Sequence, residues 1–466
     1  MLKRILQLFT ACIFCQIVTN AQLQLPAFFS DNMVLQQSDK VNIWGNDQPK
    51  TKITVKASWG AKASAETDEN GKWITKIQTP AAGGPYTVQI KGSNEIIINN
   101  ILIGEVWLCS GQSNMEMPVK GYNNQPIIGS NEFILNSTNN QIRCINTARA
   151  MSKTPLTDIK GTWKSASPAT TGDFSATAYF FAKKLQSILK VPIGLIQTAW
   201  GGSNVETWID SATLATHKKV IIPEKLNFND ANKTHTALYN GMLHPYVGYT
   251  IKGMIWYQGE GNRETANEYQ KLFTSLITSW RNQWQQGNFP FYFVQIAPFE
   301  PGKTNSAFLR EAQLKTMESV QNTGMVVTLD IGEQTNIHPA QKETVGSRLA
   351  YWALAKDYQI TEIAYCGPVF KSLEKTKDNK LNVLFDYCLM GLNSFGKPLT
   401  NFEVSGEDKI FYPAQAIFTK DKKNSVTVWS DSVANPVHVR YAFSSWVQAS
   451  LFNTQGLPAS SFRTDN

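Results

Sequence analysis

Between residues 101 and 356, short apolar runs alternate with segments of helical period, and this alternation constrains the fold more than any other feature. The apolar runs are residues 105–108, 193–198, 253–257, 291–297 and 325–329, and helical spacing of apolar residues covers 177–189, 268–284, 306–320 and 344–355. A strand buried on both faces reads as a continuous apolar run, and parallel neighbours need a crossover, usually helical, between them. Five such strands with helices between them predict an α/β fold with a doubly wound parallel sheet. In sheets of this kind, sites form beyond the carboxyl ends of the strands.

The flanks follow a different rule. Residues 22–100 show short alternating runs at 41–44, 53–57, 86–91 and 95–101, separated by the turn signals Asp68-Glu69-Asn70-Gly71 and Ala82-Gly83-Gly84-Pro85. A small β-sandwich is the expected solution. From residue 357 the runs are short again, at 382–385, 415–418, 425–428 and 437–443, and predict a second β-rich module to residue 466. The expected organisation is therefore 22–100, a β-sandwich; 101–356, the α/β domain; and 357–466, a β-rich module.

Residues 1–21 read as an export signal. Lys3 and Arg4 precede a mostly apolar stretch too short to span a bilayer, and Thr19-Asn20-Ala21 offers small residues for cleavage after Ala21. The expected location is periplasmic or extracellular, with no membrane span. Phe9-Thr10-Ala11 is a poor fit to the segment that would precede a lipidated Cys12. The formal net charge is +8, two units of which come from Lys3 and Arg4. The basic residues are scattered, without the stripe of a nucleic-acid binder. Cys109, Cys144, Cys366 and Cys388 match no zinc spacing, no His-x-x-x-His is present, and no metal or other cofactor is expected. Cys109 ends an apolar run and reads as a free core thiol.

Polar clusters follow the strand ends. Cys109-Ser110-Gly111-Gln112-Ser113-Asn114-Met115 follows the first run, Trp200-Gly201-Gly202-Ser203 the second, and Gln258-Gly259-Glu260-Gly261-Asn262 the third. Asp330 and then Asn336-Ile337-His338-Pro339 follow the fifth. Acyl transfer needs the parts these clusters carry: a hydroxyl in a tight turn at a helix start, a histidine to take its proton, and donors for the oxyanion. Taken singly, Ser113 is an ordinary helix cap, Gly201-Gly202 a turn and Asn262 a loop residue. Their succession at neighbouring strand ends is the specific signal. Of the five histidines, His338 follows the last strand and is the expected base, with His244 as its competitor; His217, His235 and His438 lie elsewhere.

The order Gly-Gln-Ser-Asn-Met, Trp-Gly-Gly-Ser, Trp-Tyr-Gln-Gly-Glu-Gly-Asn, Ile-His-Pro resembles the sialate O-acetylesterase family within the SGNH hydrolases. Similar family segments occur at Val191-Pro192-Ile193-Gly194, Leu309-Arg310-Glu311-Ala312-Gln313, Val345-Gly346-Ser347-Arg348-Leu349-Ala350 and Gly456-Leu457-Pro458-Ala459. The resemblance implies an SGNH-hydrolase domain and a carbohydrate O-acetylesterase acting on O-acetylated sialic acid. Acetylxylan or another acetylated glycan is the alternative substrate, and a carbohydrate-binding protein with weak catalysis the alternative class. It implies Ser113 as nucleophile, His338 as base, and Gly202 (or Gly201) with Asn262 as oxyanion donors. Gln112, Gln258 and Glu260 are expected to support or contact substrate, and Arg310 to meet a sugar carboxylate. Many relatives carry Asp three or two residues before the histidine, whereas Thr335 and Asn336 occupy those positions here. Asn336, Glu333 and Asp330 are therefore the candidates to orient His338.

Overall fold

The structure is a computed structural model describing residues 22–218, 220–223, 225–300, 302 and 304–465. Residues 1–21, read above as an export signal, lie outside the described residues. Among the described residues no helix is long and apolar enough to cross a membrane.

The architecture is mixed α/β. Its central strands are β1 (Glu95–Gly111), β2 (Asn139–Asn146), β3 (Trp163–Ala166), β4 (Ile193–Ala199), β5 (Gly253–Tyr257), β6 (Phe291–Val294) and β7 (Thr323–Val326). They run in the order β7-β6-β5-β1-β4-β2-β3. All neighbours are parallel except β2 and β3, which pair antiparallel at one edge. The chain fills one side of β1 with β2 and β4, then crosses to β5, β6 and β7 on the other. The winding direction thus reverses at β1, where such sheets open a crevice.

Helices cover both faces. The principal ones are α2 (Ala176–Leu189), α3 (Ala266–Trp284), α4 (Ala307–Ser319) and α5 (Lys342–Lys356), with a short α1 (Ser113–Glu116) directly after β1. In β1–β5 pairing, Trp107 lies opposite Gly253 and Trp256 opposite Ser110, so the two indoles point to opposite faces. The Trp107 ring sits 4.9 Å from Phe181 on α2. The Trp256 ring sits 5.6 Å from Trp280 and 6.0 Å from Phe273, both on α3. Helix α2 packs with α5 and α3 with α4, giving one pair on each face.

β1 is 17 residues long and joins two regions. Its first half pairs antiparallel with Gly83–Lys91, and its second half enters the central sheet, so residue 100 falls within a continuous strand. The strands Lys52–Ala57, Lys62–Glu66 and Gly83–Lys91 form one layer, and Lys40–Asn46 with Lys72–Gln78 form another. Val41, Ile43, Ile53, Val55, Trp73, Ile77, Val88 and Ile90 are buried. They sit at alternate positions along their strands, as period-2 patterning requires. After α5 the chain forms antiparallel sheets, chiefly Val369–Lys375, Leu381–Asp386, Ser425–Trp429 and Gln415–Phe418 in that pairing order. Cys109, Cys144, Cys366 and Cys388 are free and buried.

Candidate active site

Three of the polar clusters leave the sheet at one level. Gly111 at the end of β1 is in register with Ala199 at the end of β4 and with Tyr257 at the end of β5. Gly111 has φ +142°, and a Cβ there would stand 2.2 Å from the Tyr257 carbonyl oxygen. Only glycine lets the chain turn this close to β5 and present Ser113 at the start of α1.

His338 reaches that serine from the loop after β7. Its Nε2 lies 2.7 Å from Ser113 Oγ. Its Nδ1 meets Oε1 of Gln125, an acceptor, which places the proton on Nδ1 and leaves Nε2 free to accept from the hydroxyl. Gln125 is presented by a tight turn in which Tyr122 and Gln125 exchange backbone bonds of 3.0 and 3.1 Å. The Tyr122 ring packs edge-on to the imidazole at 5.6 Å. The orienting partner is thus a neutral carboxamide.

The three acids and amides expected in that role do other work. Asp330 forms a two-pronged pair with Arg348, at 2.8 and 2.5 Å. Glu333 accepts from Ala340 N at 2.8 Å and from Asn336 Nδ2 at 3.2 Å. Asn336 Oδ1 in turn accepts from the backbone N–H of His338 at 3.0 Å. They brace the loop without touching the imidazole. Burial, and secondarily the charge of Lys342, depress the His338 pKa to about 4. With no carboxylate at Nδ1, nothing offsets that depression.

On the opposite side of Ser113, the Gly201-Gly202 turn approaches so closely that a Cβ on Gly201 would lie 3.3 Å from Ser113 Cβ. The Gly201 N–H is taken by Glu116 at 2.8 Å, and its carbonyl accepts from Asn232 at 2.7 Å. Gly202 (φ +71°) and Ser113 have backbone N–H groups without a hydrogen-bond partner among the described residues. Both flank the Ser113 hydroxyl and can serve as donors to an oxyanion. Glu116 also receives Arg149 at 2.6 and 2.7 Å, and the exposed guanidinium lies 5.4 Å from the centre of the Trp200 ring.

The family model for "Carbohydrate esterase, sialic acid-specific acetylesterase" matches residues 103–355, more than half of the chain. A crystal structure of a carbohydrate acetylesterase from Xanthomonas citri superposes with a TM-score of 0.87 at 36% identity, covering 95% of this chain and 100% of that one. The chain belongs to the sialic acid-specific acetylesterase family of carbohydrate esterases. Sialate O-acetylesterase from Mus musculus is 27% identical over 94% of this chain and 93% of its own length. The Homo sapiens enzyme is 26% identical over 90% and 87%. The protein is an esterase of the hydrolase class.

Several residues expected to contact substrate in this esterase are internal instead. Asn262 is buried; its Nδ2 donates to Glu206 at 2.9 Å and Thr265 at 3.3 Å, and its Oδ1 accepts from Val205 N at 2.8 Å and Gln258 at 2.9 Å. Both N–H bonds are spent inside the protein, so the carboxamide cross-links two loops and offers no free donor to an oxyanion. Gln258 is buried, bonded to Ser203 O and Tyr269 as well. Gln112 Oε1 accepts from the N–H groups of Gly259 and Gly261 at 3.2 and 3.1 Å, shaping the third cluster rather than binding a sugar. Glu260 is buried against Asn114. Arg310 is fully buried, donating to Ser461 Oγ at 3.0 Å and to carbonyls of Ala442, Ser444 and Ser445. It ties α4 to the C-terminal β-rich part, and burial depresses its pKa to about 9. His244 faces the Leu156 carbonyl and lines a separate cleft with Trp44 and Trp73.

Gln125, Glu116, Arg149 and Asn232 carried no signal in the sequence. Only the missing acid before His338 hinted that an acceptor had to come from elsewhere.

Proposed function

We propose that this esterase is an SGNH-type carbohydrate O-acetylesterase that hydrolyses acetyl esters on sialic acids, with Ser113 as nucleophile and His338 as general base. The observation that carries the reading is the 2.7 Å contact between Ser113 Oγ and a His338 whose other nitrogen faces an acceptor. As Ser113 Oγ attacks the acetyl carbonyl, its proton passes to His338 Nε2. The oxyanion develops beside the free N–H groups of Ser113 and Gly202, which strengthen their bonds as charge grows. His338 returns the proton to the departing sugar oxygen and then deprotonates the water that cleaves the acetyl-enzyme. A neutral imidazole is ready as a base at neutral pH, but the imidazolium formed in transit has no anionic partner at Nδ1.

The sialic acid substrate rests on the family model and on the mammalian relatives. One observation favours a neutral acetylated glycan, such as acetylxylan, as the second reading. The guanidinium beside the nucleophile turn, Arg149, is already matched by Glu116, so it brings no uncompensated positive charge for a sugar carboxylate. Trp200 and Tyr122, both partly exposed, supply aromatic faces suited to either ring. Residues 1–21 support export to the periplasm or beyond.

The test is acetate release from O-acetylated sialic acids, acetylated xylo-oligosaccharides and acetylated hexosamines, with Ser113→Ala as control. The first reading expects the sialic acids to give the highest kcat/KM. A preference for the xylo-oligosaccharides would replace it with the second, and full activity in Ser113→Ala would refute the mechanism.

A further inference from the structure

Behind the catalytic pair lies a polar assembly that the mechanism above leaves unused. Asn114, next to Ser113 and fully buried, donates from Nδ2 to Glu260 Oε1 at 2.6 Å and to the carbonyl of Ile337, next to His338, at 3.1 Å. Its Oδ1 accepts from Lys342 Nζ at 2.5 Å. The carboxamide is saturated, and it stands between an acid and a base, with no carboxylate within 4.0 Å of the ammonium among the described residues. Lys342 is itself fully buried, its Nζ 5.4 Å from the Tyr257 ring centre.

Lys342 is badly placed for stability alone. It is the first residue of α5, where the helix dipole disfavours a cation. It is also removed from water, which penalises a buried ammonium. A side chain held against both penalties, one residue removed from each catalytic side chain through Asn114 and Ile337, calls for another role.

We propose that Lys342 is a positioning residue of this esterase: its ammonium fixes the Asn114 carboxamide and thereby locks the Ser113 turn to the His338 loop. This rests on the Ser113–His338 reading. The same charge acts on the imidazole. The charged or titratable groups around His338 are Lys342 and Glu333 on its own segment, Glu260 behind Asn114, and Tyr122 with the Glu116–Arg149 pair on the nucleophile side. Of these, Lys342 acts on it through its positive charge, which opposes imidazolium formation. Desolvation depresses the Lys342 pKa to about 7, while Glu260 and Glu333 pull it up, so Lys342 is protonated throughout the acid range in which His338 titrates. In that range burial does most to keep the imidazole neutral and the protonated ammonium adds to it, so the base works at lower pH than it would without Lys342.

The experiment is the pH dependence of kcat/KM for p-nitrophenyl acetate in wild type, Lys342→Met and the double variant Glu260→Leu/Lys342→Met. The double variant removes the buried acid together with the ammonium, so Glu260 is not left without its counter-charge as it is in the single change. The expected result is a lower kcat with the acid limb moved up by at least about half a pH unit in both variants. A folded variant with its acid limb unmoved overturns the proposal. So does a wild-type His338 that titrates, by NMR, at the ordinary imidazole value, a measurement that needs no variant. Failure of the underlying reading looks different, because His338→Ala would then retain activity whatever Lys342 does.

Discussion

The turn that carries Ser113 and the loop that carries His338 are built on different principles. The turn is an extension of the sheet: Gly111, Ala199 and Tyr257 share one register level, and Ser113 follows two residues later. Its place is fixed by backbone hydrogen bonds and one close glycine contact. The His338 loop, residues 327–341, has little regular structure and is held by side chains: Asp330 on Arg348, Glu333 on Ala340, Asn336 on His338, and Gln125 from a distant turn. Register alone therefore places Ser113, the proposed nucleophile, while His338, the proposed base, is held by a set of polar side chains that a single substitution can dismantle.

The largest effect should come from cutting the two regions apart chemically. His338→Ala and Ser113→Ala should each lower kcat by about 10⁴-fold or more while the protein stays folded, since the pair acts as a unit. Steady-state turnover with near-normal circular dichroism checks this, and a folded His338→Ala variant within tenfold of wild type would remove the base from the scheme.

Asn262→Ala sharpens the nucleophile side. Because the carboxamide joins Glu206, Thr265, Val205 and Gln258, its loss strands buried partners, and stability should fall by about 2–4 kcal/mol. The kcat of the folded fraction should fall less than tenfold. Unfolding in urea together with kinetics decides the matter: a 10²–10³-fold kcat loss at unchanged stability would make Asn262 an oxyanion donor after all.

On the base side, Gln125→Glu introduces the missing carboxylate. An anion at Nδ1 favours the imidazolium, so the His338 pKa rises and activity is lost at a higher pH as the solution is acidified. The acid limb of kcat/KM should move up by about one unit or more, and a limb that stays in place would show that Gln125 does not orient the imidazole. The smallest effect on catalysis is expected for Asp330→Asn. It breaks the partly buried pair with Arg348 and should cost about 1–3 kcal/mol of stability, leaving the pH–rate profile unmoved.

The same contrast explains what the sequence made legible. Strand and helix periods located β4, β5 and the four long helices to within a few residues, because burial on both faces dictates unbroken apolar runs; β1 reads as two short strands, 95–101 and 105–108, where one 17-residue strand runs through. The edge strand β3 and its neighbour β2 escaped notice, since β2 mixes polar and apolar residues and β3 is only four residues long. The approach of Ser113, Gly202 and His338 followed from strand order. Gln125 did not, because a glutamine in a Tyr-Asn-Asn-Gln turn carries no periodic or compositional mark. Arg310 misled for a related reason: a helical arginine is drawn to carboxylates in general, and only the packing of α4 against the C-terminal part shows that it meets carbonyls instead.

The account's central claim is that a neutral histidine, oriented by an amide and pressed by burial, serves as the base. The pH dependence of wild-type kcat/KM for p-nitrophenyl acetate tests it most directly, because that ratio reports the free enzyme's essential groups. Activity depends on the unprotonated imidazole, so it should persist as pH falls and decline only through an apparent value near 4, as the depressed His338 pKa requires. Samples returned to pH 7 after the acid exposure should recover full rate, separating titration from unfolding. A reversible acid limb at the ordinary imidazole value of about 6.5, or above it, would contradict the claim.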